Sequence, residues 1–349
     1  MVVASCILLL GLLADSAAAP APAGTLLVVR PDEDAVVLVD LATGDESGRL
    51  TTNRVPHRVA VAADGRTAAV GEWGKKRTPG QSVAFVDLTE RTVTSRRDLG
   101  EHAHPEVLAF LPDGRLAVLS QKSGHVVLVP RGETDPLSSV ATPSAFPGSL
   151  AIAPDGRLAV VTHPSSGSAT IVDLHGVRAV STFDVGAEAD GVVIVKNGRE
   201  AWVAMQSGDR IAIVDLESGQ VVGSIPCSGF PIRLAFDPSR NRVLVTCSRS
   251  HEIVAFDVAA RKEVARRRLD PSKHPDWPRL SAGNPFGATP VPMDIVVARD
   301  GALAYVAADL AKAVLEIDAD TLEIRRILAP GGRPQGLALS PTSAGSRTN

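Results

Sequence analysis

The chain has 349 residues, 36 basic and 39 acidic side chains, a formal net charge of −3 and a hydrophobic content of 44%. That composition excludes a disordered chain and fits one large or two medium globular domains. With no global basic field and few aromatic residues (Trp 3, Tyr 1, Phe 8), nucleic acid is not an expected partner.

Val2 to Leu13 is an almost wholly apolar run, and the small-residue stretch Asp15 to Ala23 follows it. This order resembles a signal peptide with its cleavage region, so residues 1–23 are expected to direct export to the periplasm or the extracellular space. No later stretch approaches the ~18 uninterrupted apolar residues of a membrane span, and no transmembrane segment is expected. If Cys6 leaves with the signal, Cys227 and Cys247 remain. An oxidising compartment permits one disulfide between them; two free thiols or a soft-metal site are the other arrangements.

Beyond residue 23 the chain repeats itself. Two-residue turns recur between apolar stretches: Asp64-Gly65, Asp113-Gly114, Asp155-Gly156, Asn197-Gly198 and Asp300-Gly301, with Gly114, Gly156 and Gly198 evenly spaced 42 apart. A short apolar strand precedes each turn (strand A, such as Leu150-Ala151-Ile152), and a second follows it (strand B, such as Leu158 to Val161). Strand C ends in aspartate in most copies: Asp40, Asp87, Asp173, Asp215, Asp257 and Asp318. Such a repeated acceptor at the mouth of a tight turn satisfies backbone N–H groups, so its expected role is structural. A polar turn then leads to strand D, as at Gln220 to Ile225.

Four short antiparallel strands per period, with no helical periodicity, predict an all-β, seven-bladed β-propeller over residues 24–341. The chain opens in mid-repeat, with Leu26–Val29 as strand B, and it finishes on a lone strand A, Gly336 to Ser340. The C-terminal strand is therefore expected to join the N-terminal blade and close the ring. Residues 342–349 are expected to form a disordered tail, and the protein is expected to be a monomer.

The pieces Leu150-Ala-Ile-Ala-Pro-Asp-Gly156, Leu108-Ala-Phe-Leu-Pro-Asp-Gly114, Ala304-Tyr305-Val306-Ala307 and Ile213-Val214-Asp215-Leu216 resemble the repeat of the YVTN-type seven-bladed propellers. The resemblance implies the fold. Its relatives are similar to surface-layer components, periplasmic binding proteins and lactone hydrolases, so it implies no single activity.

In a propeller the A–B and C–D turns share one face, and the B–C and D–A connections share the other. The long segments, Glu72 to Gln81 (a B–C loop) and Asp270 to Pro292 (a D–A connection), fall on the second face, as do all histidines except His175. Long loops on a rigid scaffold are where binding usually sits.

Residues near the start of each strand A should ring the mouth of the central channel. Three readings of that ring stay open. Its charges can simply pair across blades in solvent. It can bind a polar small molecule, with Arg58, Arg233 and Arg333 taking carboxylate or phosphate groups beside Asp294 and Asp309. Or it can hold a divalent metal on His57, His104, His163 and Glu72, with Glu106 and Asp190 nearby.

The leading expectation is an exported propeller that binds a polar small ligand, a metal ion or a protein partner at this mouth. Lys273 to Leu280 would form a lid or docking element with Trp277 as its apolar anchor. The alternative is a metal-assisted hydrolase similar to propeller lactonases, with Glu106 or Asp190 as the general base. A protein-interaction scaffold is the remaining class.

Overall fold

A computed structural model describes residues 23–341 apart from 53, 76, 133, 282, 283, 285 and 286. Residues 1–22 of the expected signal peptide and the expected tail 342–349 lie outside the described residues. The described chain is a seven-bladed β-propeller built of seven four-stranded antiparallel sheets.

Blade one is the composite blade. Its strand A is the last strand of the chain, Gly336–Ser340, which pairs antiparallel with Thr25–Arg30 through Thr25↔Ser340 to Val29↔Gly336. Ala35–Asp40 and Glu46–Thr51 complete the sheet as strands C and D. Blades two to seven each run A to D without interruption, opening at Pro56, Pro105, Leu150, Ala189, Pro231 and Pro292.

Burial explains why the inner strands read as unbroken apolar runs. Strand B of blade one, Thr25–Arg30, is buried at every residue, because a neighbouring blade covers each of its faces. The outermost strands face solvent on one side and alternate: Thr92–Asp98 in blade two runs exposed, half-buried, exposed throughout.

The turn aspartates do what their repetition suggested. Asp40, Asp87, Asp215 and Asp257 accept from the N–H groups of Ala42 (2.8 Å), Thr89 (2.7 Å), Ser218 (2.8 Å) and Ala260 (2.6 Å). Asp64, Asp113, Asp155 and Asp300 do the same at the A–B turns, each bonding the N–H two residues on at 2.8–2.9 Å.

One expectation of the sequence needs correcting. Glu72 to Gln81 is no loop: strands B and C of blade two lengthen to Thr67–Lys75 and Thr78–Asp87, and Gly74↔Pro79 and Lys75↔Thr78 carry the ladder outward past a bulge. Polar composition suggested a loop, but the alternation continues through it and the backbone stays paired.

Removing residues 336–349 should leave Thr25–Arg30 as an open apolar edge. We expect Tm to fall by about 10 °C or more, read by circular dichroism. An unchanged Tm would show that ring closure does not depend on this strand.

Candidate functional site

A device repeated in five blades builds the mouth. The residue before strand A is left-handed at Val55 (φ 46°), His104 (58°), Glu188 (52°), Phe230 (65°) and Val291 (43°). Each one's carbonyl accepts an N–H from strand B or just beyond it, within the lengthened strand of blade two at Trp73 (3.1 Å) and just past the strand's last residue at Gln121 (2.9 Å), Gln206 (3.2 Å), Ser248 (3.1 Å) and Asp309 (3.3 Å). A β-branched valine in this region is a true outlier, and such strain costs roughly 1–3 kcal/mol per residue.

The ladder then slips by one residue, between Pro56/Arg58, Pro105/Val107, Ala189/Val192, Pro231/Arg233 and Pro292/Asp294. Bulges of this kind re-aim side chains. His57, Glu106 and Asp190 lie within the slips.

These turned side chains form a charged cluster. His57 Nε2 lies 3.0 Å from Glu106 Oε1. Burial works against the Glu106 carboxylate, but the hydrogen bond and charge of His57, with Arg58 and Arg233, hold its pKa down at about 2. Arg233 Nη1 lies 2.9 Å from Asp190 Oδ2, which also accepts from Gln206 Nε2 at 2.6 Å. Burial opposes the Arg233 charge, while Asp190, Asp294 and Glu106 reinforce it from three other blades and raise its pKa.

The two arginines fit because two glycines make room. Arg58 and Arg233 occupy the same position of strand A in blades two and six, and the preceding blades carry Gly336 and Gly191 there. A Cβ on Gly191 would lie 2.4 Å from the Ile232 carbonyl oxygen and 3.1 Å from Arg233 Cα. One on Gly336 would meet the His57 carbonyl oxygen at 2.9 Å and Arg58 Cδ at 3.4 Å.

Arg58 differs from the other cations of the mouth. Its Nη1 donates to the carbonyls of Gln335 (2.8 Å) and His57 (3.4 Å), and among the described residues no carboxylate forms an ion pair with it. Arg333, by contrast, forks onto Asp309, with Nε 3.0 Å from Oδ1 and Nη2 on Oδ2. Asp294 bonds the N–H groups of Ile295 (3.0 Å) and Leu337 (2.9 Å), tying blade seven to blade one.

The side chains expected to share a metal stay apart. His104 donates from Nδ1 to the Trp73 carbonyl at 3.0 Å, and its ring lies 3.9 Å from the Trp73 ring. His57 lies on the same indole at a centroid distance of 5.9 Å. Glu72 is fully buried in blade two and held by Arg96 (3.0 Å) and Ser82 (2.5 Å). His163 is fully buried in blade four, with Nε2 2.9 Å from Thr170 Oγ1. Among the described residues no three His, Cys, Asp or Glu side chains converge as a cation site, so the donor set does not fit a metal.

Trp277 is likewise placed in the core. It begins the short helix Trp277–Leu280, is 7% exposed, and packs with Leu244, Ile253 and Leu315 between blades six and seven. Trp277 is thus held in the core, while Lys273, Pro275, Asp276, Pro278 and Arg279 around it are exposed. The residues that sequence reading missed are Trp73 and Gly191. Only the glycine left a signal, standing where the next blade carries arginine.

A cleft of about 800 Å³ opens on the opposite face, between blades two and three, with Phe85, Phe110, Leu116 and Val129 in its walls. Its acids Asp64 and Asp113 are satisfied by their own turns and by Arg115. Binding sites combine an apolar wall with a few convergent polar groups, and the mouth has the better polar set.

No protein-family model matches the sequence, and no curated protein matches it. Solved structures do. A structure of Kuenenia stuttgartiensis hydrazine synthase has a TM-score of 0.67 at 18% identity, covering 87% of this chain and 97% of that one. A functionally unknown protein from Desulfotomaculum acetoxidans has a TM-score of 0.72 at 12% identity, covering 92% and 100%. The dihydro-heme d1 dehydrogenase NirN, in complex with DHE, has a TM-score of 0.63 at 16% identity, covering 94% and 76%. At such identities the likeness shows the fold alone.

Two buried groups contribute to the acid limit of the structure. Burial lowers the His163 pKa from 6.5 to about 4, so the stability of its neutral form is complete above pH 6.5 and lost as pH falls toward 4. The loss amounts to about 3 kcal/mol. The Glu106 contribution is complete above pH 4.5 and disappears as pH falls through about 2. Urea midpoints across this range should decline in those two windows, and His163→Gln should shrink the upper decline, leaving the part contributed by His102, His104 and His251, whose pKa values burial also lowers.

Proposed function

We propose that this propeller binds a small carboxylate-bearing molecule at the channel mouth, with Arg58 as the anchor. The observation that carries the reading is the Arg58 guanidinium, which no carboxylate pairs among the described residues, set beside the His57–Glu106 pair, while Asp190 and Asp309 already occupy Arg233 and Arg333. One nitrogen of Arg58 is steadied by the Gln335 carbonyl. The rest of the planar fork is left for a carboxylate, which it matches in geometry as well as charge.

Glu106 and Asp190 give the rim a negative surround, which favours a ligand carrying one anionic group together with hydrogen-bond donors. A carboxylate held near a pKa of about 2 is a weak proton acceptor. Glu106 is therefore better suited to orienting His57 than to acting as the general base of a hydrolase. The repeat belongs, in this reading, to the YVTN type, supported by its Pro-Asp-Gly turns and Val-Asp strands.

Screening small mono- and dicarboxylates by thermal shift, then titrating the hits by calorimetry, tests the site. Arg58→Gln should weaken binding at least about tenfold, near 1.4 kcal/mol, and Arg333→Gln should leave it unchanged. A carboxylate that binds Arg58→Gln as tightly as the parent would overturn the assignment.

The same reading places the protein outside the cytoplasm, since Val2 to Ala23 has the order of an export signal. No described helix is long and apolar enough to cross a membrane. N-terminal sequencing of the exported protein should find a start near Gly24. A chain still beginning at Met1 would count against export.

A further inference from the structure

We infer that Cys227 and Cys247 form an intrachain disulfide that fastens the outer edge of blade five to blade six. Cys227 follows strand D of blade five, Gln220–Pro226, and Cys247 ends strand B of blade six, Arg242–Cys247. Their sulfurs lie 3.7 Å apart, and both residues are fully buried in one apolar cluster with Ile225, Val245 and Val254. The sulfurs are thus already in contact, and side-chain rotation can close them toward the ~2.05 Å of a disulfide.

The backbone on each side is held in register. Cys227 N–H donates to the Asp209 carbonyl at 2.8 Å, and Cys247 is paired with Pro231 on one side and Glu252 on the other. The two positions are 20 apart in sequence. The closed ring contains the whole connection into blade six and the strand that carries Arg233.

The bond must form before the blades close. Both sulfurs are sealed from solvent in the fold, and the hydrogen bond to Cys247 and burial push the Cys227 thiol up, so Cys227 does not meet a donor there as the thiolate that exchange requires. In the folding chain, one cysteine thiolate attacks the disulfide of a small or protein disulfide donor and displaces one donor thiolate. The second cysteine then attacks the mixed disulfide. Two protons and two electrons leave the pair, and the donor departs as two thiols.

The inference does not rest on ligand binding or on export, because the test is made on the refolded full chain. Denatured, reduced protein is refolded with a couple of oxidised and reduced glutathione, then denatured again and alkylated without reductant. Peptide mapping should find Cys227 and Cys247 unalkylated and joined in one cross-linked peptide. Reduction should lower Tm by about 5 °C, with no such response in a Cys227→Ala, Cys247→Ala variant. Alkylation of both cysteines after oxidative refolding, or a cross-link to Cys6 in its place, overturns the inference; the mapping decides even if the double variant does not fold.

Discussion

Strand B of each blade is buried along most of its length, so every blade needs a neighbour on each side. That demand can be met everywhere only in a closed ring. The pairing of Gly336–Ser340 with Thr25–Arg30 provides the closure, and hydrogen bonds between the two ends of the described chain bring blade one up to the same four strands as the rest. The channel, its mouth and the inward turn of every strand A follow from it.

How much of this was legible in the sequence depends on range. Strand order, turn positions and the composite blade could be read, because Asp-Gly turns and apolar alternation are local patterns repeated until chance is excluded. The structural duty of the strand-C aspartates was legible for the same reason, and Asp40, Asp87, Asp215 and Asp257 perform it. Extension of the blade-two hairpin through Trp73 and Pro79 was not, since its glycines, proline and lysines read as loop composition.

The candidate site was legible as a list and illegible as a geometry. Sequence position brought His57, Arg58, Glu106, Asp190 and Arg233 to one rim, and those five do interact. It could not separate them from His163 and Glu72, which lie at matching ends of strand B yet turn into the blades toward Thr170 and Arg96. Nor could it tell which arginine is already matched by a carboxylate. That is a property of neighbours from other blades, far away in sequence. Trp277 was misplaced for a related reason: an aromatic residue in a long polar connection looks exposed until the apolar gap that it fills is seen.

The ring is not equally tight around its circumference. The cluster between blades six and seven has large members such as Trp277, Ile295 and Leu315, whereas the one between blades two and three is smaller, and Phe85 and Phe110 are only partly covered. The 800 Å³ cleft lies at that joint. On the mouth face of the same joint His57 and Glu106 stand one on each blade, and their 3.0 Å bond spans it. One seam of the ring is thus hollow at one face and tied by a polar bond at the other, so its two faces are joined by different physics.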